Sequence, residues 1–190
     1  MLLHGIGGNR RNWRDNLPAF SEHFHAAAWD ARGYGDSDDY DGPLAFDDFR
    51  EDLRRVLDHF GAPKAHLVGL SMGGRIALSF NAAHPERVAS LVLCDTHLGF
   101  KRFTKKQRDR FVALRKDPLV AGKAPADIAP EVAKTLIGDM AHQTAYDQIV
   151  DSMSRLHKES YIKAIEASVD LDQAELAYAV RVPTLVLAGA

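Results

Sequence analysis

The sequence has little that ties it to a membrane, a nucleic acid or an oxidising compartment. It contains one cysteine, Cys94, so no internal disulfide can form and a reducing compartment is the simpler expectation. The formal net charge is −2, which gives no electrostatic reason to expect a nucleic acid or an anionic membrane as a partner. No apolar run approaches the length of a membrane span, and the first residues lack a basic-then-apolar signal pattern. We therefore expect a cytoplasmic protein.

The remaining composition is that of an ordinary globular chain. Its 190 residues are 46% hydrophobic and 26% charged, which suits one domain with a sizeable core and room for a small appendage. No internal repeat or low-complexity segment is present. A basic stretch over residues 101–108 is followed by Asp109 and then Asp117, and this pattern favours a solvated helix face over a nucleic-acid patch.

The most informative stretch is residues 65–77. A short apolar run leads into Gly69-Leu70-Ser71-Met72-Gly73, and a helical pattern follows at once. This predicts a strand that turns sharply into a helix with Ser71 at the apex, where small neighbours let strand and helix approach closely. The turn also places the following backbone N–H groups at a helix N-terminus, where they favour developing negative charge. The alternative is a plain tight connection with Ser71 as an N-cap; we favour a nucleophile.

The order of the other elements predicts an α/β fold with a mostly parallel sheet. Strand-like and helical segments alternate through the first half of the chain, with the clearest helix over residues 46–60, where the apolar residues lie on one face. Residues 99–180 show only helical patterns, including a helix expected over 129–136 with Pro130 near its first turn. We therefore expect a core over 1–98, a helical cap over 99–180 and a return strand over 181–190. The five expected strands lie near residues 1–3, 25–30, 67–70, 88–95 and 182–189.

Four spaced motifs carry a resemblance to a known family. In chain order they are His4-Gly5-Ile6-Gly7-Gly8 with Trp13, Asp30-x-Arg32-Gly33-x-Gly35-x-Ser37, Gly69-x-Ser71-x-Gly73-Gly74, and Pro183-Thr184-Leu185. In this order and spacing, the chain resembles the α/β-hydrolase fold superfamily. Within it, the chain is most similar to the branch of 3-oxoadipate enol-lactonases and small carboxylesterases.

The resemblance implies a role for each matched residue. Ser71 matches the nucleophile that attacks an ester or lactone carbonyl, and the backbone N–H groups of Ile6 and Met72 match the oxyanion-hole donors. His4, Gly5 and Trp13 are candidates for the wall of the substrate pocket, although for Trp13 we favour core packing. The implied partner is a small ester or lactone, and no metal or cofactor is expected.

Two members of the expected catalytic triad are missing from the matched positions. In this superfamily the order is Ser, then acid, then His, and the last two are expected beyond Ala190. Asp95 follows a strand where some members carry their acid, but we favour a structural role for it. Three histidines in or near the insertion, His97, His142 and His157, do not match the family's position either. We therefore expect a chain truncated at both ends, with about five of the usual eight strands and negligible activity on its own.

Other activities share these motifs. A cofactor-free haloperoxidase or perhydrolase and a carbon–carbon bond hydrolase have the same elbow and oxyanion loop. A catalytically silent binding protein on the same fold is an alternative of another class, which the intact Ser71 motif disfavours.

Overall fold

A parallel sheet organises the computed structural model, which describes residues 1–138 and 143–189. The strands pair in sequence order, β1-β2-β3-β4, and every pairing is parallel. This confirms the predicted fold class. The strands are β1 (Leu2–Leu3), β2 (Ala65–Leu70), β3 (Val88–Cys94) and β4 (Thr184–Leu187).

The prediction of a fifth strand over residues 25–30 is wrong. This segment makes only a single parallel bridge, between Ala28 and Leu2. The Leu2 N–H donates to Ala27 O at 2.8 Å and the Trp29 N–H donates to Leu2 O at 3.3 Å. One bridge and two hydrogen bonds hold this segment beside β1, which is too little pairing for a strand of its own.

Helices precede, connect and follow these strands. Short 3₁₀ turns lie at Arg10–Trp13, Pro85–Arg87 and Phe100–Arg102. The α-helices of the described residues are α1 (Leu17–Ser21), α2 (Phe46–His59), α3 (Met72–Ala83), α4 (Lys105–Arg115), α5 (Asp117–Val120), α6 (Pro125–Lys134), α7 (Gln143–Ser154), α8 (Lys158–Val169) and α9 (Ala174–Tyr178).

Helix α2 matches its sequence pattern closely. Its buried side chains lie along one face, and the chain leaves the helix at Gly61, whose φ of 61° suits glycine. Helix α3 differs, since residues 72–81 are buried on every side. It packs against β1, β2, β3 and α2, so the element that follows Ser71 lies at the centre of the molecule.

The segment between β3 and β4 is helical, as the periodicity predicts, but one helix begins earlier than expected. Helix α6 starts at Pro125, and Pro130 lies inside it rather than in its first turn. The carboxylate of Asp127 accepts the Ala124 N–H at 2.8 Å and so caps the earlier start. Among residues 1–138 and 143–189, no helix has both the length and the apolar character needed to cross a bilayer. His142, one of the histidines considered above, lies outside the described residues.

Candidate active site

Ser71 stands at the turn between β2 and α3 with a backbone conformation that L-residues avoid. Its φ is 49° and its ψ is −107°. Among the described residues, only Ser71 and Asp95 combine a side chain with a positive φ. The Ser71 N–H donates to the carbonyl oxygen of Cys94 at 2.8 Å. The end of β3 therefore holds the strained turn in place.

Three glycines make this turn possible because no Cβ atom fits at their positions. A Cβ at Gly69 would lie 2.4 Å from Gly74 N, and one at Gly73 would lie 2.2 Å from Leu3 O. A Cβ at Gly74 would lie 2.0 Å from the Thr96 Oγ1. The close approach of strand and helix, inferred from the motif, is thus visible at each glycine.

The loop after β1 lies beside Ser71. A Cβ built at Gly5 would be 3.5 Å from the Ser71 Cβ and 3.4 Å from Leu70 O. Within the part of the chain that the structure describes, the backbone N–H groups of Ile6 and Met72 donate to no acceptor. Ile6 follows Gly5 directly, and Met72 begins α3. The two amides expected to act as oxyanion donors are therefore free, on the two segments that meet at Ser71.

His4 is built into the protein rather than exposed to a ligand. It is fully buried, and its Nδ1 lies 2.9 Å from the carbonyl oxygen of Gly5. Its Nε2 accepts the Ala31 N–H at 3.1 Å, so Nδ1 carries the proton and donates to Gly5 O. Burial lowers the pKa of His4, which keeps the ring neutral. His4 thus positions the loop that contains Gly5 and Ile6.

The helical insertion covers this loop. Gly7 has a φ of 84°, and a Cβ there would lie 3.4 Å from the Cγ of Met153 on α7. The Asn12 side-chain amide donates to the Ser152 hydroxyl at 2.8 Å. Trp13, at the end of the adjacent 3₁₀ turn, is buried. Helix α7 therefore rests on the glycine loop and on the turn that follows it.

Asp95 and Thr96, which follow β3, make contacts with neighbouring segments that no sequence pattern predicted. The Asp95 N–H donates to Leu187 O at 2.8 Å, and its carboxylate accepts the Gly189 N–H at 2.8 Å. Asp95 is therefore turned toward the end of β4. The Thr96 hydroxyl packs on Gly74 and lies 3.1 Å from Cys94 O. The only sequence signal for Thr96 was the paired glycines, which require a close neighbour.

None of the described histidines hydrogen-bonds the Ser71 hydroxyl. The Nδ1 of His97 accepts the Gly99 N–H at 3.1 Å, and burial lowers the pKa of His97 to about 4. His157 contacts the loop that contains Gly35 and Asp39 instead. Its Nε2 lies 3.2 Å from Gly35 O, and its Nδ1 lies 3.0 Å from the Asp39 carboxylate. The described residues thus bring Ser71 and two free amides together, with no described histidine hydrogen-bonded to the Ser71 hydroxyl.

A strained serine between a parallel strand and a buried helix, beside a glycine loop, is the arrangement of one fold family. A family model for the alpha/beta hydrolase fold matches residues 1–187. The chain belongs to the α/β-hydrolase fold family.

The chain is also similar to several named proteins. The chain is 29% identical over 199 residues to a putative carbamate hydrolase, RutD, of Azorhizobium caulinodans, covering 100% of this chain and 71% of that protein. It is 25% identical over 199 residues to 3-oxoadipate enol-lactonase 2 of Acinetobacter baylyi, covering 100% of this chain and 70% of that protein. Among solved structures, a thermophilic esterase from Thermogutta terrifontis matches with a TM-score of 0.87 and 26% identity, over 99% of this chain and 70% of that one. Two shorter matches, each over 49% of this chain, span only 25% and 36% of the proteins concerned.

Proposed function

We propose that this chain carries the nucleophile and the oxyanion donors of a serine hydrolase that acts on small esters or lactones. The observation that supports this most directly is the backbone of Ser71, with a φ of 49° and a ψ of −107°. Such strain persists only where the surrounding structure enforces it, and it is concentrated at functional sites. The esterase and enol-lactonase among the relatives point to the same chemistry.

In the proposed reaction the Ser71 oxygen attacks the substrate carbonyl carbon, and a C–O bond forms as the carbonyl oxygen takes the negative charge. The N–H groups of Ile6 and Met72 donate to that oxygen, and one such donor is worth about 3 kcal/mol in the transition state. The N-terminus of α3 adds a favourable dipole. When the tetrahedral intermediate collapses, the bond to the leaving oxygen breaks, and this oxygen takes up the proton that Ser71 lost. Water then hydrolyses the acyl-enzyme in the same way.

The proton transfers need a base, and the base needs a carboxylate to orient it. Among the described residues, no histidine is hydrogen-bonded to the Ser71 hydroxyl. On this basis the 190-residue chain by itself has negligible esterase activity.

The insertion from α4 to α9 serves as a cap in this proposal. Met153 on α7 lies beside Gly7, and Ser152 accepts a hydrogen bond from Asn12, which supports a position of α7 over the loop that contains Ile6. A cap in this position excludes water and shapes the pocket around the acyl group. A cytoplasmic location, and a small molecule rather than a nucleic acid or a membrane as partner, stay predictions.

The test compares turnover of p-nitrophenyl acetate and a small lactone by the 190-residue chain and by any longer product of the same gene. We expect only background turnover by the 190-residue chain, and in any longer product that hydrolyses either substrate, Ser71→Ala should lower turnover by at least about 10³-fold. Ser90→Ala, a serine on β3 bonded to His66, is the matched control and should leave turnover unchanged. Turnover that survives Ser71→Ala would exclude Ser71 as the nucleophile.

A further inference from the structure

Arg75 occupies an unusual place for a charged side chain. It lies one turn after Ser71 on α3, and its N–H donates to Ser71 O at 3.3 Å. It is 1% exposed in a helix that is otherwise built from small and apolar residues around it. Side chains on a helix lean toward its N-terminus, so the guanidinium extends toward the end of α3 that carries Ser71.

Aromatic rings surround the guanidinium. Its central carbon is 5.3 Å from the ring centre of Phe46, at the start of α2, and 5.5 Å from that of Phe100, at the start of the insertion. His97 is also close enough for the charge on Arg75 to help lower the pKa of His97. Arg75 therefore lies where the insertion leaves the carboxyl end of β3, on the same side of the sheet as the candidate site.

The guanidinium lacks a counter-charge. Within residues 1–138 and 143–189, no carboxylate is within ion-pair distance of Arg75, and its Nε and Nη1 have no hydrogen-bond partner. Arg32, which is more exposed, makes two hydrogen bonds to the Asp52 carboxylate at 2.5 and 2.8 Å. Burial lowers the pKa of Arg75 only to about 10, so the group is cationic at neutral pH.

A buried cation without acceptors is costly, and the aromatic faces offset only part of that cost. Helix α3 would pack more easily with an aliphatic residue at this position. A buried cation whose Nε and Nη1 lack an acceptor, one turn from Ser71, is explained if the acceptor arrives with the ligand.

We propose that Arg75 binds the carboxylate of an acidic substrate whose ester or lactone carbonyl is presented to Ser71. The substrate class is then a half-ester or an acid-bearing lactone rather than a neutral ester. This class rests on the proposed acyl transfer at Ser71, whereas carboxylate binding by Arg75 does not.

The binding test uses succinate as the probe and its neutral counterpart succinamide as the control. The Arg75 Nε–H resonance, assigned with Arg75→Lys, is followed by NMR in the 190-residue chain and in Ser71→Ala. We expect a saturable shift with succinate in both proteins and none with succinamide. The Nε–H of Arg32, already bonded to Asp52, should not move. No shift at Arg75, or an equal shift with succinamide, overturns the proposal.

The turnover test compares monomethyl succinate with dimethyl succinate, using whichever gene product hydrolyses esters. Arg75→Met should lower kcat/KM for the half-ester by roughly 10- to 100-fold, and leave the diester within a few-fold. Arg115→Met is the matched control, because Arg115 is the other buried arginine without a carboxylate partner among the described residues. If both esters are hydrolysed equally by wild type and Arg75→Met, Ser71 chemistry stands and the Arg75 proposal falls. If neither ester is hydrolysed, the acyl-transfer proposal fails, and the succinate titration still decides the role of Arg75.

Discussion

Gly73→Ala is the sharpest perturbation of the turn that holds Ser71. The new Cβ would lie 2.2 Å from the oxygen and 2.6 Å from the carbon of the Leu3 carbonyl group. Both are backbone atoms, so no flexible side chain can turn away to relieve the contact. Forced overpacking of this kind costs up to about 3 kcal/mol, and the better helix propensity of alanine returns at most about 1 kcal/mol. We expect the free energy of unfolding to fall by about 2 kcal/mol.

The assay is urea unfolding followed by circular dichroism, with thermal melting as a second measurement. For a chain of this length, 2 kcal/mol corresponds to a fall of roughly 4–8 °C in Tm. Because the relief must come from movement of Leu3, the loop that contains Gly5 should shift as well.

Two other glycines separate the cost of a steric clash from the cost of backbone strain. A Cβ at Gly138 meets no atom of the described residues within 4 Å, and Gly138→Ala should leave stability almost unchanged. A Cβ at Gly61 is equally free, but the φ there is 61°, so Gly61→Ala should cost about 1 kcal/mol from backbone strain alone. If Gly73→Ala is as stable as Gly138→Ala, the close packing of α3 on β1 is not what makes glycine necessary at residue 73.

Three further predictions concern residues at or near the carboxyl ends of β2 and β3. Ser71→Gly should be about 1 kcal/mol more stable than Ser71→Ala by urea unfolding, because only glycine adopts the φ of 49° without strain; equal stabilities would show that the turn is not strained. Burial lowers the pKa of His97 from 6.5 to about 4, so the unfolded chain binds a proton in that range while the folded chain does not. The stability contributed by neutral His97 is full above about pH 6.5 and falls as the pH drops toward 4. The free energy of unfolding measured across this range should therefore depend less on pH in His97→Asn. An equal pH dependence in both proteins would show that the pKa of His97 is not lowered by folding. Asp95→Ala should accelerate hydrogen exchange at the Gly189 amide, whereas Asp95→Asn, which keeps the acceptor oxygen, should not; equal exchange in both variants would show that this hydrogen bond does not hold the end of β4.

The sequence predicted those parts of the fold that depend on local pattern. Helix α2 and strand β3 have apolar residues at the right period, and the glycines around Ser71 have one economical explanation. The strand predicted over residues 25–30 was wrong, because the pairing of this segment depends on β1, which is distant in the chain. Helix α6 began early because Pro125 and Pro130 both suit a first turn, and only the capping of Ala124 by Asp127 decides between them.

The candidate site was predictable to a similar degree. The motif identified Ser71 and the two amides as neighbours, but not the conformations that hold them. Asp95 has the same unusual sign of φ as Ser71, yet nothing in its local sequence requires it. No sequence pattern singled out Arg75. Whether a carboxylate reaches it depends on the packing of Phe46 and Phe100, which are distant in the chain.

The contact between Met153 and the glycine loop makes this methionine a natural reporter of cap motion. Met153 is 1% exposed, so an aqueous oxidant reaches its sulfur only when the packing around Met153 opens. Oxidation would also leave a polar sulfoxide that fits poorly against that loop. If α7 is part of the cap proposed above, the rate at which peroxide oxidises Met153 would report how often the cap opens, and the sulfoxide would favour the open form.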